Sequence, residues 1–151
     1  MQRVRSFVEL AKSDGLPIAA QGQLVPEAPK GGFYQVPTLI RDVPIEHRIA
    51  QEEIFGPVLA ISPFDDEDHA IELANGTEYG LAAALWTQDG GRQLRMARRL
   101  QSGQVFVNNY GAGGGIELPF GGVKASGHGR EKGFEALYSF TTLKTVTIKH
   151  G

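Results

Sequence analysis

The chain has 151 residues, a length that fits one domain with its own buried core. Its hydrophobic fraction of 41%, charged fraction of 21% and net charge of −2 are typical of a globular protein and give no broad field for attracting nucleic acid or an anionic membrane. The sequence contains no cysteine, which excludes disulfides, thiolate metal sites and a cysteine nucleophile within these residues.

The first part of the chain predicts one helix and two strands. Apolar residues at helical spacing predict an amphipathic helix over residues 2–13, with the inner stripe Val4, Phe7, Val8 and Ala11. A loop rich in proline and glycine leads to a predicted strand over residues 33–40, in which Pro37 indicates an edge position or a bulge. A short apolar run over residues 55–64 predicts the next strand.

The middle of the chain begins with a predicted helix that Asp65 or Asp66 caps. Its inner stripe comprises Ala70, Ile71 and Ala74. The pair Asn75-Gly76 is typical of a left-handed helix end. A continuous apolar segment over residues 81–87 then predicts a strand buried on both faces.

Asp89 predicts the start of a third helix, whose inner stripe includes Leu94 and Ala97. Gly103 ends this helix before a predicted strand over residues 104–108. Because strands and helices alternate, the sequence predicts an α/β fold with a parallel β-α-β layer.

Residues 109–129 are dense in glycine and predict a long ordered loop of the kind that often carries function. Its glycine run, residues 111–115, lacks the following helix that a phosphate-binding loop requires. A short helix is predicted over residues 131–137. Residues 141–149 alternate in polarity, which predicts a strand with an unpaired edge that needs a partner.

No segment is long and apolar enough for a membrane helix, and the first residues lack the apolar stretch of a secretory signal. We therefore expect a cytoplasmic protein without a membrane or nucleic-acid partner. The four histidines are scattered along the sequence and have no acid cluster beside them, so no metal site is expected.

Four motifs occur in an order and spacing that resemble the aldehyde dehydrogenase superfamily. The most informative is Gln-Glu-Glu-Ile-Phe-Gly-Pro-Val at residues 51–58. The others are Phe-Tyr-Gln-Val-Pro-Thr at 33–38, Asn-Gly-Thr-Glu-Tyr-Gly-Leu at 75–81 and Leu-Pro-Phe-Gly-Gly-Val-Lys-Ala-Ser-Gly-His-Gly at 118–129. The resemblance is to the C-terminal third of such an enzyme.

The resemblance implies two cofactor contacts and two tunnel positions. Glu53 accepts hydrogen bonds from the hydroxyls of the nicotinamide ribose, while Phe55 packs near the nicotinamide ring; a carboxylate and a flat apolar face suit those roles. Glu52 is interpreted as structural, bonded to a backbone turn. Phe120 lines the aldehyde tunnel or, alternatively, anchors the glycine-rich loop. Asn108 is a polar wall of the tunnel or a side-chain cap of that loop.

The resemblance also implies the function and its limits. Residues 1–138 correspond to the C-terminal part of the catalytic domain, and residues 139–151 to a strand that pairs with another subunit or a complementary N-terminal segment. The intact enzyme uses NAD or NADP to oxidise an aldehyde to a carboxylate. Its nucleophilic cysteine, its general-base glutamate and its Rossmann domain precede the matched region, so no catalytic residue is assigned here. This chain alone is expected to be inactive and to bind no cofactor tightly.

A second hypothesis from another class of protein is a noncatalytic, oligomer-forming binding module derived from the same family. In this hypothesis Glu53, Phe55 and Phe120 persist without their catalytic context. The sequence leaves both hypotheses open.

Overall fold

The computed structural model of the chain describes residues 1–110 and 115–151. It contains two compact units, residues 1–77 and residues 78–151. The glycine run predicted at 111–115 and the centre of the predicted loop lie mostly outside the described residues.

The first unit combines three helices with a three-stranded sheet. In chain order its elements are α1 (Gln2–Ser13), β1 (Ile18–Gln21), β2 (Thr38–Ile40), α2 (Arg48–Gln51), β3 (Val58–Ala60) and α3 (Glu67–Asn75). The central strand is β2, which pairs antiparallel with β1 and parallel with β3.

Helix α1 covers the core of this unit, as the apolar stripe predicted. Phe7 and Ala11 are fully buried, and they pack in one cluster with Ile40 of β2 and with Val43 and Ile49 from the following segment. Burial of a side chain as large as Phe7 or Ile40 stabilises the folded state by roughly 1.5–3 kcal/mol. The helix therefore depends on tertiary packing as well as on its own propensity.

The strand predicted over residues 33–40 was too long, and its edge position was wrong. The strand begins at Thr38, directly after Pro37, and occupies the centre of the sheet. Proline has no N–H for the ladder, so the regular pairing starts after it. The bulge lies instead in β1, between Ile18 and Ala20. That strand was missed because it is short and three of its four residues are exposed.

Helix α3 begins as predicted and ends differently. The Asp66 carboxylate accepts a hydrogen bond from the His69 backbone N–H at 2.9 Å, which confirms the cap. Gly76 follows the helix with a φ of −75°, so the predicted left-handed end was wrong. Glycine is needed there for space instead, because an added Cβ would lie 2.9 Å from the Ile45 side chain. Ile71 is buried, but Ala74 is exposed.

In the described residues of the second unit there are two small sheets and two helices. Its elements are β4 (Tyr79–Gly80), β5 (Ala82–Leu85), α4 (Gly90–Arg99), β6 (Gln104–Val107), β7 (Val123–Lys124) and α5 (Glu135–Ser139). Strands β5 and β6 pair in parallel and are connected through α4, whereas β4 pairs antiparallel with β7. The predicted α/β class with a parallel β-α-β element is therefore confirmed.

Burial in the second unit is lower than the sequence predicted. Strand β5 has one buried residue, Leu85, so the prediction of burial on both faces was wrong. Helix α4 has no buried residue, and Leu94, predicted to face inward, is 63% exposed. Strand β5 and helix α4 therefore carry more apolar side chains than the second unit buries by itself.

The last helix begins later than predicted, at Glu135 rather than at residue 131. Two local features account for the shift. Glu131 exchanges backbone hydrogen bonds with Phe120, and Gly133 has a φ of +62°, which interrupts right-handed helix.

Residues 141–151 form no helix or strand within the described part of the chain. Leu143, Val146 and Ile148 in this segment are between 69% and 98% exposed. The pairing of this segment with another chain, and its separation as a domain from residues 1–138, stay predictions.

Among the glycines of residues 1–110 and 115–151, Gly103 is the one at which an added side chain conflicts most directly with backbone. Its Cβ would overlap the carbonyl oxygen of Gly121 and lie 2.9 Å from the Gly122 Cα. We expect Gly103→Ala to lower the free energy of unfolding by about 1–3 kcal/mol, because neither backbone segment can yield without moving a strand. Urea unfolding of the purified chain measures this change.

Gly90→Ala is the matched control, because no atom lies within 4 Å of an added Cβ at Gly90 and the residue begins α4. We expect it to leave stability unchanged or to raise it by up to ~1 kcal/mol. Equal effects of the two substitutions would contradict the close contact at Gly103.

Candidate functional site

The turn that connects α2 to β3 presents two side chains to solvent on either side of a buried one. Glu53 is exposed, Ile54 is 8% exposed and packs in the core, and Phe55 is 84% exposed. Ile54 therefore anchors the turn, while its two neighbours project outward.

Phe55 has an unusual backbone conformation, with a φ of +59°. A residue with a Cβ costs roughly 1–2 kcal/mol in the left-handed region, and such conformations are often found at functional sites. Here the strained backbone carries an apolar ring that contributes little to the core.

Helix α1 and strand β2 hold the turn in place from both sides. An added Cβ at Gly56 would lie 2.5 Å from Cγ2 of Val4, so the backbone of the turn contacts α1 directly. On the other side, the Thr38 N–H donates to the Pro57 carbonyl oxygen at 2.9 Å. The turn is therefore fixed before β3 begins at Val58.

Glu52 belongs to an ion cluster and not to a backbone turn, which corrects the sequence-based interpretation of its partner. Arg48 donates to both of its carboxylate oxygens, with Nη2 at 3.2 Å from Oε2, and Arg3 Nη2 lies 3.3 Å from Oε2. The hydrogen bond from Arg48 lowers the pKa of Glu52, and the same bond raises the pKa of Arg48. Both arginines also stack on the ring of Phe7, at 5.0 and 4.9 Å from its centre.

Glu53 differs from its neighbour because its carboxylate is available. Within residues 1–110 and 115–151 it has no hydrogen bond or ion pair, while its backbone carbonyl accepts a hydrogen bond from Arg3 at 2.9 Å. An exposed carboxylate on a fixed backbone can accept hydrogen bonds from two adjacent hydroxyls. Together with the exposed Phe55 ring, the turn therefore presents one acidic and one apolar side chain to solvent.

Asn108 lies directly after β6 with a φ of +52°, a conformation that asparagine tolerates better than most residues. Its side-chain amide accepts from the Thr87 N–H at 2.8 Å and donates to the Thr87 carbonyl at 2.9 Å. The amide thus continues the β5–β6 pairing by one step beyond Leu85 and Val107. Both hydrogen-bonding functions of the side chain are engaged inside the chain.

Phe120 is half-buried and lies in a small hydrogen-bonded bridge. It exchanges backbone hydrogen bonds with Glu131 at 2.6 and 2.7 Å, and the Lys132 ammonium is 5.8 Å from its ring centre. The neighbouring Arg130 guanidinium donates to the carbonyl of Gly122 at 2.7 Å and to that of Gly129 at 2.9 Å. These bonds close the loop that carries Phe120.

Two of the four predicted site residues lie in the first unit and two in the second. Glu53 and Phe55 share one turn of the first unit. In the second unit, the loop of Phe120 contacts the beginning of β6 through Gly103 and Gly121, whereas Asn108 follows its end. Gly103 and Asn108 are five residues apart, which corresponds to about 17 Å along an extended strand at about 3.3 Å per residue. The roles of the four residues stay predictions.

Sequence reasoning did not identify three arginines that organise these positions: Arg3, Arg48 and Arg130. Arg48 and Glu52 have the i,i+4 spacing of a helical ion pair, which was a readable signal. Arg3 gave no local signal because its partners lie 49 and 50 residues further along the chain.

A depression of about 340 Å³ on the first unit does not involve the candidate site. It lies beside α1, and its lining includes Val8, Leu24, Tyr34 and Val36. Glu53 and Phe55 lie instead on an exposed turn, so a ligand bound there would also need contacts with another protein surface.

The described residues also set limits on other kinds of site. No helix among them has both the length and the apolar content to cross a bilayer. No three histidine, aspartate or glutamate side chains among them are grouped as metal ligands.

The structure thus defines an α/β chain with an exposed acidic and aromatic turn. The profile of the aldehyde dehydrogenase family matches residues 1–146. The chain belongs to the aldehyde dehydrogenase family.

Named relatives agree with this assignment. The chain is 45% identical over 96% of its length to the NADP/NAD-dependent aldehyde dehydrogenase PuuC of Escherichia coli K12 and covers 28% of that protein. It also resembles the crystal structure of a putative aldehyde dehydrogenase from Burkholderia cenocepacia, with a TM-score of 0.93 and 68% identity, covering 99% of this chain and 32% of that one.

A third relative is the indole-3-acetaldehyde dehydrogenase of P. syringae, whose structure contains NAD+. The TM-score is 0.89 and the identity 44%, over 99% of this chain and 30% of that one. The chain therefore spans 28–32% of the length of these three proteins.

The Glu52 cluster predicts a pH dependence of stability. A carboxylate whose pKa is lowered by folding stabilises the folded state above its unfolded pKa and loses that contribution as the pH falls through its folded pKa. We expect the free energy of unfolding to decrease below about pH 4.3, the ordinary pKa of glutamate, and Glu52→Gln to flatten part of that decrease. Urea unfolding between pH 3 and pH 7 measures both curves.

Arg48→Met is the matched variant for this test. It removes the largest cause of the shift, so it should flatten the same part of the curve, and the double variant should flatten it no further. A Glu52→Gln curve that keeps the wild-type slope would show that the cluster does not couple folding to protonation.

Proposed function

We propose that the chain is the C-terminal part of the catalytic domain, together with the oligomerisation strand, of an NAD(P)-dependent aldehyde dehydrogenase. The observation that carries the proposal is the fixed turn at Glu53 and Phe55 in a chain of this family. When bound, NAD or NADP accepts a hydride from the substrate. In this proposal Glu53 accepts hydrogen bonds from the ribose hydroxyls, and Phe55 excludes water beside the nicotinamide.

Phe120 lines the aldehyde tunnel in this proposal, and its fixed backbone supports that role. The bridge to Glu131 and the bonds from Arg130 limit the movement of the loop, so the ring can keep one position. An apolar wall protects a covalent intermediate from stray water. The side chain of Asn108 fixes the backbone at the end of β6. In this proposal Asn108 therefore shapes the tunnel indirectly, through the position of that backbone.

The family chemistry also needs groups that this chain does not contain. The sequence has no cysteine, so the nucleophile must come from another segment or another chain. The same holds for the general-base glutamate and the Rossmann domain that the resemblance assigns to the preceding region. We therefore expect no activity from these 151 residues alone.

The test is aldehyde-dependent NAD(P)H formation by the purified chain, before and after addition of an N-terminal segment from a related aldehyde dehydrogenase. That segment supplies the cysteine, the glutamate and the Rossmann domain. We expect activity only in the mixture. Activity of the chain alone would overturn the proposal, since a cysteine-free protein would need another mechanism.

Within the active mixture, Glu53→Gln should raise the KM for NAD(P) by about tenfold, because a charged acceptor becomes a neutral one. Glu27→Gln changes an exposed glutamate of the same unit outside the turn and should leave the KM unchanged. Equal KM values for the wild type, Glu53→Gln and Glu27→Gln would contradict a role of Glu53 in cofactor binding.

A mixture that binds together but stays inactive would favour the noncatalytic module. The absence of cysteine is the observation behind that alternative. In both cases we propose a cytoplasmic protein, which cell fractionation with an antibody to the chain can check.

We also propose that residues 139–151 pair as a strand with another subunit or with a complementary segment. The exposed side chains of Leu143, Val146 and Ile148 support this, because pairing would cover them. Deleting residues 139–151 should lower the mass in solution, measured by light scattering.

Thr145→Pro is a finer test of the same pairing, since proline removes one N–H from a strand ladder, and Thr145→Ser is its control. We expect the proline variant to behave like the deletion and the serine variant like the wild type. An unchanged mass in both the deletion and the proline variant would contradict the pairing.

A further inference from the structure

Arg3 connects the first turn of α1 to the candidate site from a distant place in the sequence. Its Nη2 atom donates to the Glu53 carbonyl oxygen at 2.9 Å and lies 3.3 Å from the Glu52 carboxylate. Its guanidinium also lies 5.0 Å from the centre of the Phe7 ring. Three different contacts therefore define the position of one side chain.

These contacts restrict the backbone at Glu53. The carbonyl group of residue 53 is bound by Arg3, and the next side chain, Ile54, is held in the core. The peptide unit between them is thus fixed at both ends. Glu53 keeps only its side-chain dihedrals, so less entropy is lost when its carboxylate meets a ligand.

We propose that Arg3 is a positioning residue, which holds Glu53 in the orientation that binds the cofactor ribose. This inference rests on the proposed function. Arg3 does not touch the ligand in this arrangement; it acts through the backbone of Glu53, and Arg48 keeps Glu52 in place beside it.

The experiment measures the dissociation constant of NAD(P)H by its fluorescence in the mixture with the N-terminal segment. Arg3→Met keeps most of the side-chain stem and removes the donors, while Arg3→Lys keeps the charge and one donor group. Arg5→Met is the matched control, since Arg5 is an exposed arginine of the same helix that lines the depression instead. Circular dichroism of each variant checks that α1 still forms.

We expect Arg3→Met to raise the dissociation constant about three- to tenfold, a moderate effect because the arginine is partly exposed. Arg3→Lys should recover part of the loss, and Arg5→Met should match the wild type. A double-variant cycle identifies the route: in a Glu53→Gln background, Arg3→Met should have little further effect.

Each other outcome has a different meaning. If Glu53→Gln weakens binding and Arg3→Met does not, the inference is wrong and the proposed function stands. If Arg3→Met weakens binding equally in both backgrounds, Arg3 acts generally on the fold and the inference is also wrong. If Glu53→Gln leaves the dissociation constant unchanged, the cofactor role of Glu53 fails and the inference fails with it.

Discussion

The first unit depends on the contact between α1 and the turn before β3. Val4 leaves no space for a side chain at Gly56, and Ile54 packs into the same cluster as Val4 and Phe7. Because valine is stiff at χ1, it cannot turn away from the glycine backbone. The helix therefore serves two purposes: its inner face covers the sheet, and its first turn defines where the acidic and aromatic side chains of the turn project.

Local sequence signals predicted the elements that local chemistry determines. The amphipathic stripe of α1, the aspartate cap at Asp66 and the β5-α4-β6 unit all follow from periodicity and capping. The errors arose where non-local packing decides. The short strand β1 has little apolar pattern, and Leu94 has a helical apolar spacing that its own unit does not bury.

The candidate site was predictable to a different extent at each position. The motif around Glu53 and Phe55 identified the turn, but the contrast between an engaged Glu52 and an available Glu53 required coordinates, because it depends on a helix 49 residues away. The side-chain pairing of Asn108 with Thr87 was equally hidden, since no sequence rule specifies which loop amide completes a ladder. Family resemblance identified positions, and packing explains how they are held.

The left-handed backbone of Phe55 has a consequence for redesign of this chain. A procedure that selects substitutions only for stability would replace this phenylalanine by glycine or asparagine, which tolerate a positive φ, and would remove an exposed apolar ring at the same time. Such a variant would satisfy the stability criterion, but it would lose the exposed aromatic ring of the turn. In the cofactor role proposed for Phe55, stability and function oppose each other at this position, so it should be excluded from optimisation for stability alone.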